Sequence, residues 1–413
     1  MIRRDKDRYA ELLKAMAAMS GLFSDNDSPY IDSRFVERIY AHTTGGSDIG
    51  RADCSFDVSF DSGEGVGIKT FLAASGDSKL EKVAEFNALT RLGEFKVRDK
   101  EELVMRIASA RNSRVLSDSV EFGIDLNRSL YHCLVRFPQG GSVHEEPYPI
   151  IDLKKLRPTK SNGTKLRSWS ELGSMIYFSD GISQYSFNLS KSVLSKRFNF
   201  DRRREAIDLP IHPNPLDLLL RRAKTIDSVR PGQVVLDRWD DDKAGSVLRP
   251  GADYVVLPLY SSRTGKVPAA SGINQWNAGG RARKFGEAYL SIPSAVHQLC
   301  KGFFPPRDTP FGLLLPNSKE VRSAKVCQDG SKALMTDPNF ELGQWLISVV
   351  DPTIPKSAFN KPVKNRQPFT YGDLRAIGKD AIRVSRTEET GETIYRAEFA
   401  PLGSYEDFID SLT

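Results

Sequence analysis

Apolar residues recur at helical spacing in the N-terminal segment and then change period. Leu12, Leu13, Met16 and Met19 form one stripe over residues 5 to 19, and Phe35, Val36, Ile39 and Tyr40 form another between about Ser33 and His42. Two amphipathic helices are therefore predicted, with a turn at Ser28-Pro29 between them. From Cys54 to Phe60 the period falls to two, which places Phe56, Val58 and Phe60 on one face of a strand and Asp57, Ser59 and Asp61 on the other. After a turn at Asp61-Ser62-Gly63, Gly65 to Phe71 alternates again, setting Gly67, Lys69 and Phe71 opposite Val66, Ile68 and Thr70. A hairpin of these two strands holds Asp57 and Lys69 on the same side. A helix from about Lys79 to Thr90 is predicted next, carrying Glu81 and Glu85, and a short helix starts at Leu103. Ser129 to Phe137, Ser174 to Phe178 and Gln184 to Leu189 have the β-branched and aromatic bias of strands, with a hairpin turn at Asp180-Gly181. Lys191 to Phe198 reads as a short basic helix that runs into Arg202-Arg203-Arg204.

Three prolines between Asp208 and Pro215 enforce an extended join, followed by a short helix, Pro215 to Ala223, and a strand-like Val229 to Leu236. The second half then changes character. Tyr254 to Tyr260, Glu287 to Pro293, Leu313 to Leu315 and Ser323 to Cys327 read as short strands, and Ser294 to Leu299 and Asn339 to Val349 as helices. Two polar segments, Asn274 to Arg283 and Gln328 to Lys332, interrupt them, and the whole describes a β-barrel-like module. A last stretch from Tyr371 to Phe408 hints at a helix and a strand. The expected fold is thus a multidomain α+β and α/β chain with residues 1–225 as the first domain, 226–352 as the barrel, and 353–413 as a linker and small C-terminal α/β extension.

Composition narrows the chemistry only a little. The 413 residues exceed one ordinary core, and 39% hydrophobic with 27% charged residues is a globular composition. A net charge of +6 suits a phosphate-binding surface without requiring one. Cys54, Cys133, Cys300 and Cys327 are scattered, with no Cys-x-x-Cys pair, so no zinc site is expected. No secretory h-region opens the chain and no run approaches the ~20 apolar residues of a membrane span, so a cytoplasmic protein with no membrane partner is expected. There is no P-loop, no G-x-S-x-G and no His-x-Lys, which leaves nucleotide-driven, serine-hydrolase and phospholipase-D-like chemistry without support. What remains is the Asp57/Lys69 pair. A carboxylate that holds Mg²⁺ beside a lysine that orients water is a layout for phosphodiester hydrolysis. An ordinary surface ion pair is the plain alternative.

Helix with Glu37, then Asp57, then a hairpin ending in Lys69 resembles the core of the PD-(D/E)XK nucleases. The likeness implies a Mg²⁺-dependent site with Asp57, Lys69, Glu85 and Glu37 as catalytic residues. Gly67 stands where that family carries an acid two positions before the lysine. Asp57 and Glu85 are the expected metal ligands, Glu85 being chosen because the second acid migrates to the following helix in some of these enzymes. Glu64 is the rival.

The second resemblance is more specific. Asn274 to Arg283 (Asn-Gln-Trp-Asn-Ala-Gly-Gly-Arg-Ala-Arg), Phe304 to Phe311, Lys325 to Met335 and Leu342 to Trp345 follow one another as in the C-terminal recognition domain of restriction endonucleases such as BfiI and the NgoFVII-type enzymes. That domain shares the pseudobarrel of the plant B-three transcription factors. The likeness implies two arms that grip the major groove, here with Asn274, Gln275, Asn277, Arg281 and Arg283 on one and Gln328, Asp329, Ser331 and Lys332 on the other. Asn and Gln pair bidentately with adenine and Arg with guanine. The expected function is a type II restriction endonuclease acting on double-stranded DNA, a homodimer functionally paired with a cognate DNA methyltransferase. A sequence-specific DNA-binding regulator with a degenerate nuclease domain is the alternative, and Gly67 is its best support.

Overall fold

A computed structural model describes residues 5–50, 54–73, 76–173, 175–226, 248–275, 284–316, 318, 320–338, 340–361, 367–389 and 392–413. The chain forms two compact units, one from residues 1–85 and 124–246 and the other from 86–123 and 247–413.

The first unit opens with α1 (Lys6–Ala18), capped by the Asp5 carboxylate, and α2 (Ser33–Thr44), which starts on Asp32 and stops at Gly45 in a left-handed conformation. Strands β1 (Ser47–Asp48), β2 (Val58–Ser59), β3 (Gly65–Leu72) and β4 (Ser78–Glu85) follow. The chain then passes through α3 (Asn87–Arg91) and α4 (Lys100–Glu121), which belong to the other unit. It returns as β5 (Leu130–Phe137), β6 (Gly140–Pro147), β7 (Arg157–Pro158), β8 (Met175–Ser179), β9 (Gln184–Asn188), β10 (Val193–Asn199), β11 (Ala206–Asp208) and α5 (Pro215–Ile226). Two sheets result, in the orders β1-β2-β3-β5-β6-β11 and β4-β10-β9-β8-β7. Within the first, β2 and β3 are antiparallel, β3 and β5 parallel.

Alternation along β3 explains its position. Val66 and Ile68 join a buried cluster with Tyr9 and Leu13 of α1 and Val36, Ile39 and Tyr40 of α2. On the opposite face Phe71 meets Phe198 and Phe200, so β10 of the second sheet covers it. Gly67 lies on that same face beneath the stacked rings of Tyr131 and Tyr148, and a Cβ there would come within 2.9 Å of both.

Two helices expected from sequence are strands. The spacing over residues 79–90 predicts one helix, but Ser78–Glu85 is β4 and only Asn87–Arg91 is helical. Lys191 to Phe198 is mostly β10, burying Leu194, Lys196 and Phe198 in alternation. Both segments have apolar spacings compatible with either period, and their mutual antiparallel pairing decides the outcome. The Asp180-Gly181 turn between β8 and β9 forms as expected, with the Asp180 carboxylate accepting from the Ile182 and Ser183 amides.

The second unit holds β12 (Tyr254–Pro258), β13 (Leu290–Ser291), α6 (Ser294–Leu299), β14 (Phe311–Leu314), β15 (Arg322–Cys327), β16 (Ala333–Asp337), α7 (Phe340–Val350), α8 (Tyr371–Ile377), β17 (Lys379–Glu389), β18 (Glu392–Pro401) and α9 (Ser404–Asp410). Its strands form one sheet in the order β12-β17-β18-β14-β15-β16-β13, and the outer strands β12 and β13 approach each other. The segment after residue 353, expected as a separate small extension, supplies β17 and β18, the second and third strands of this sheet, which separate β12 from β14. Its hydrophobic alternation is the reason: Ile382, Val384, Tyr395, Ala397 and Phe399 enter the same core as Val255, Leu313 and Trp345. Helix α4 is fastened to this core by charge. Lys379 donates to Asp118 and Glu121 at 2.5 Å each, and Glu121 also accepts from the Phe399 amide at 2.8 Å, all of it fully buried. Helix α7 packs so closely on the chain at 286–288 that a Cβ at Gly343 would collide with the Gly286 carbonyl.

Candidate functional site

In the first unit, the ends of β2 and β3 diverge around Asp57. The amide of Ile68 donates to Asp57 Oδ2 at 2.6 Å, where a continued ladder would offer a backbone carbonyl. The carboxylate is thereby fixed between the strands. Lys69 follows directly and its charge acts on Asp57. Helix α2 brings Glu37 to the same place. Gly50 marks the point of convergence, for a Cβ on it would lie 3.0 Å from Glu37 Oε2, 3.5 Å from Asp57 Oδ1 and 2.9 Å from Arg34 Nη1. Arg34 bonds Glu37 at 2.7 Å and also grips Asp48.

This cluster holds more negative than positive charge. Burial pushes the Asp57 carboxyl above its ordinary value, opposed by Lys69 and the Ile68 amide. Burial raises Glu37 as well, with the Asp57 carboxylate next and Arg34 in opposition. Acids that repel in this way, Asp57 acting on Glu37 and Asp48 on both, favour a cation among them. Among the described residues no group of three or more His, Cys, Asp and Glu is placed to hold a metal. Mg²⁺ does not need three, because it keeps several waters and takes one or two carboxylates. On this chemistry Asp57 and Glu37 fit.

The other candidate acids lie elsewhere. Glu85, expected on a helix, is the last residue of β4 in the second sheet, exposed and paired with Lys82 at 3.0 Å. The helix that recommended it does not form. Glu64 is buried in the β2–β3 turn, gripped by Ser62 and Arg128. Gly67 cannot carry an acid without displacing Tyr131 and Tyr148. Glu37, the one acid of α2, is the position that the PD-(D/E)XK resemblance implies.

In the second unit, the start of the first polar segment is a brace. Asn274 Nδ2 donates to the carbonyls of Pro268 and Phe369, and its Oδ1 accepts from the Phe369 amide at 2.7 Å. Gln275 has a positive φ of 61° and accepts from the Gly286 amide at 2.6 Å. The side-chain amides of both are engaged with backbone. Asn277, Arg281 and Arg283 lie outside the described residues.

The second polar segment is a strained turn between β15 and β16. Gln328, Gly330 and Ser331 all have positive φ, 69°, 71° and 56°. Holding non-glycine residues there costs free energy that the surrounding structure must offset. The offset is visible: His297 Nε2 bonds the Ser331 carbonyl at 2.8 Å, and Arg307 pairs with Asp329 at 3.5 Å. Gln328, Asp329 and Lys332 project into solvent from this fixed base, with Ser331 partly covered.

Residues 254–388 match the family model of the NgoFVII C-terminal B3-like DNA-binding domain. This similarity runs from the first residue of β12 into β17, covers about a third of the chain, and includes both polar segments. No curated protein matches the chain. Among the described residues no helix is long and apolar enough to cross a membrane.

Proposed function

We propose that this protein is a sequence-specific endonuclease of double-stranded DNA, of the type II restriction class, with recognition in the second unit and hydrolysis in the first. The observation that carries the recognition half is the match of residues 254–388 to a restriction-enzyme DNA-binding domain. The observation that carries the hydrolytic half is the convergence of Glu37 and Asp57 beside Lys69. The order of elements supports it too: a helix with the acid, an antiparallel pair bearing Asp57 and Lys69, then a strand parallel to the second, as in the PD-(D/E)XK core.

Asp57 and Glu37 would hold Mg²⁺, which when bound lowers the pKa of water and neutralises phosphate charge. Asp57 is kept in place by the Ile68 amide, so it does not have to be ordered when substrate arrives. Lys69 supplies a positive charge that orients the attacking water and offsets the charge that builds on the phosphoryl oxygens. Arg34 compensates the carboxylates. Two strands must be cut, which favours a homodimer, and a cell carrying such an enzyme would need a cognate methyltransferase to protect its own sites. The site of action is wherever that DNA lies, the cytoplasm.

The second reading is a DNA-binding regulator, and Gly67 packed under two tyrosines is what favours it. The two separate on phage DNA incubated with Mg²⁺ and then with EDTA. Discrete fragments that vanish with chelator support the endonuclease. Intact DNA with a sequence-specific gel shift would favour the regulator.

A further inference from the structure

Residues 153–167 read Leu-Lys-Lys-Leu-Arg-Pro-Thr-Lys-Ser-Asn-Gly-Thr-Lys-Leu-Arg, with six cations and no acid. In the structure this stretch is β7 and a hairpin beyond it, at the edge of the second sheet of the first unit. Thr159 pairs with Lys165, the Leu166 amide returns to the Pro158 carbonyl, and Gly163 turns the tip with φ of 87°. Lys155 pairs with Asp152, whereas Lys154, Arg157, Lys160, Lys165 and Arg167 make no ion pair among the described residues. Solvated charge runs are common, and lysines on an edge strand also discourage unwanted sheet pairing.

What sets this one apart is the investment in its shape. Gln184 donates from Nε2 to the carbonyls of Lys160 and Ser161, at 2.8 and 3.2 Å. Arg197 donates to the Ser161 carbonyl at 2.7 Å and to Gln184 Oε1 at 2.7 Å, and is itself anchored on Ser78. Half-buried side chains of β9 and β10 thus bond the tip's backbone, while Lys160, Lys165 and Arg167 stay exposed around it. A β-ribbon fringed with unneutralised cations matches a line of regularly spaced phosphates; it has no aromatic, and its one side-chain amide, Asn162, has its Oδ1 taken by the Thr164 amide at 3.0 Å.

We infer that the 159–167 hairpin is a second DNA contact, a sequence-independent clamp on the phosphate backbone that is separate from the two recognition arms. The inference rests on the DNA-binding reading above and adds to it a surface on the first unit. It assigns base reading to one unit and a share of the salt-dependent affinity to the other.

The test uses the full chain and the triple variant K160Q/K165Q/R167Q. Binding to a mixed-sequence 30-base-pair duplex is followed by fluorescence anisotropy over a series of salt concentrations. Each phosphate contact contributes a slope of about −0.9 in log K against log salt, so the variant's slope should be shallower by about 2 to 3. The charge-keeping variant K160R/K165R/R167K should retain the wild-type slope, and unchanged thermal melts would show that both variants are folded. Preference for specific over mixed DNA should change less than twofold. An unchanged slope in a folded triple variant that still binds DNA overturns the clamp and leaves the recognition reading intact. So does an unchanged slope accompanied by new self-association, which would make the lysines edge protection only. Retention of the wild-type chain, but not the triple variant, on anionic phosphatidylserine vesicles with no change in DNA slope would also overturn it. No DNA binding by the wild-type chain sinks both readings together.

Discussion

Each unit contains a cluster of carboxylates around a cation, and the two clusters have opposite fates. In the second unit, Asp118, Glu121 and Lys379 have side chains at most 2% exposed, and Lys379 reaches both acids while Glu121 also takes the Phe399 amide. In the first, Glu37, Asp48 and Arg34 keep 13%, 26% and 29% of their side-chain surface, and the Asp57 carboxylate raises the affinity of Glu37 for protons. The same residue types therefore make a rivet where solvent is excluded, and a candidate cation site where it is not. Burial and completed partnering, more than residue identity, separate glue from chemistry.

Breaking the rivet should have the largest effect. Lys379→Met leaves two acids facing each other in the core, at a cost of about 3–5 kcal/mol, read as a lower denaturant midpoint; a loss under about 1 kcal/mol would mean the cluster is solvated. Asn274→Ala should come next, since it strands the Phe369 amide and two carbonyls, costing about 1–3 kcal/mol. If that variant keeps its stability but loses specific DNA binding, Asn274 reads bases and does not brace the arm.

The rivet also predicts a pH dependence. Glu121 is pushed from 4.5 up to about 7 by burial, offset by Lys379. A carboxyl raised on folding binds its proton more tightly in the folded state. Its stabilising contribution is therefore full below pH 4.5 and is lost as pH rises through about 7. Relative to Glu121→Gln, the wild-type melting temperature should fall across that window; a rise would contradict the assignment.

The open cluster should respond in the opposite way. Asp57→Asn removes a like charge from Glu37, so stability should stay within about 1 kcal/mol of wild type or improve, while cleavage falls by about 100-fold or more. Loss of folding in that variant would make Asp57 structural.

These contrasts bear on what the sequence could reveal. Helices α1 and α2, the strand at 130–137 and the turn at Asp180-Gly181 were legible because their periodicity or turn chemistry admits one solution. Strands β4 and β10 were not, because each spacing fits helix or strand and only their pairing with one another decides. The C-terminal stretch reads locally as an appendage for a related reason: sheet order is nonlocal, and β17 and β18 insert between β12 and β14, with β17 reaching β12 from more than a hundred residues away. Within the site, Asp57 and Lys69 followed from alternation, and Glu37 from the helix before them. The case for Glu85 depended on a helix that does not form. The bracing role of Asn274 depends on Phe369, ninety-five residues away, and no local pattern announces it.

Whether Lys69 serves cleavage and not recognition is decided by a paired cleavage and gel-shift assay of wild type and Lys69→Ala on the same DNA with Mg²⁺. The wild type should give discrete fragments, the variant none, and both should give sequence-specific shifts of similar affinity. A Lys69→Ala protein that still cuts at the same sites would contradict that role.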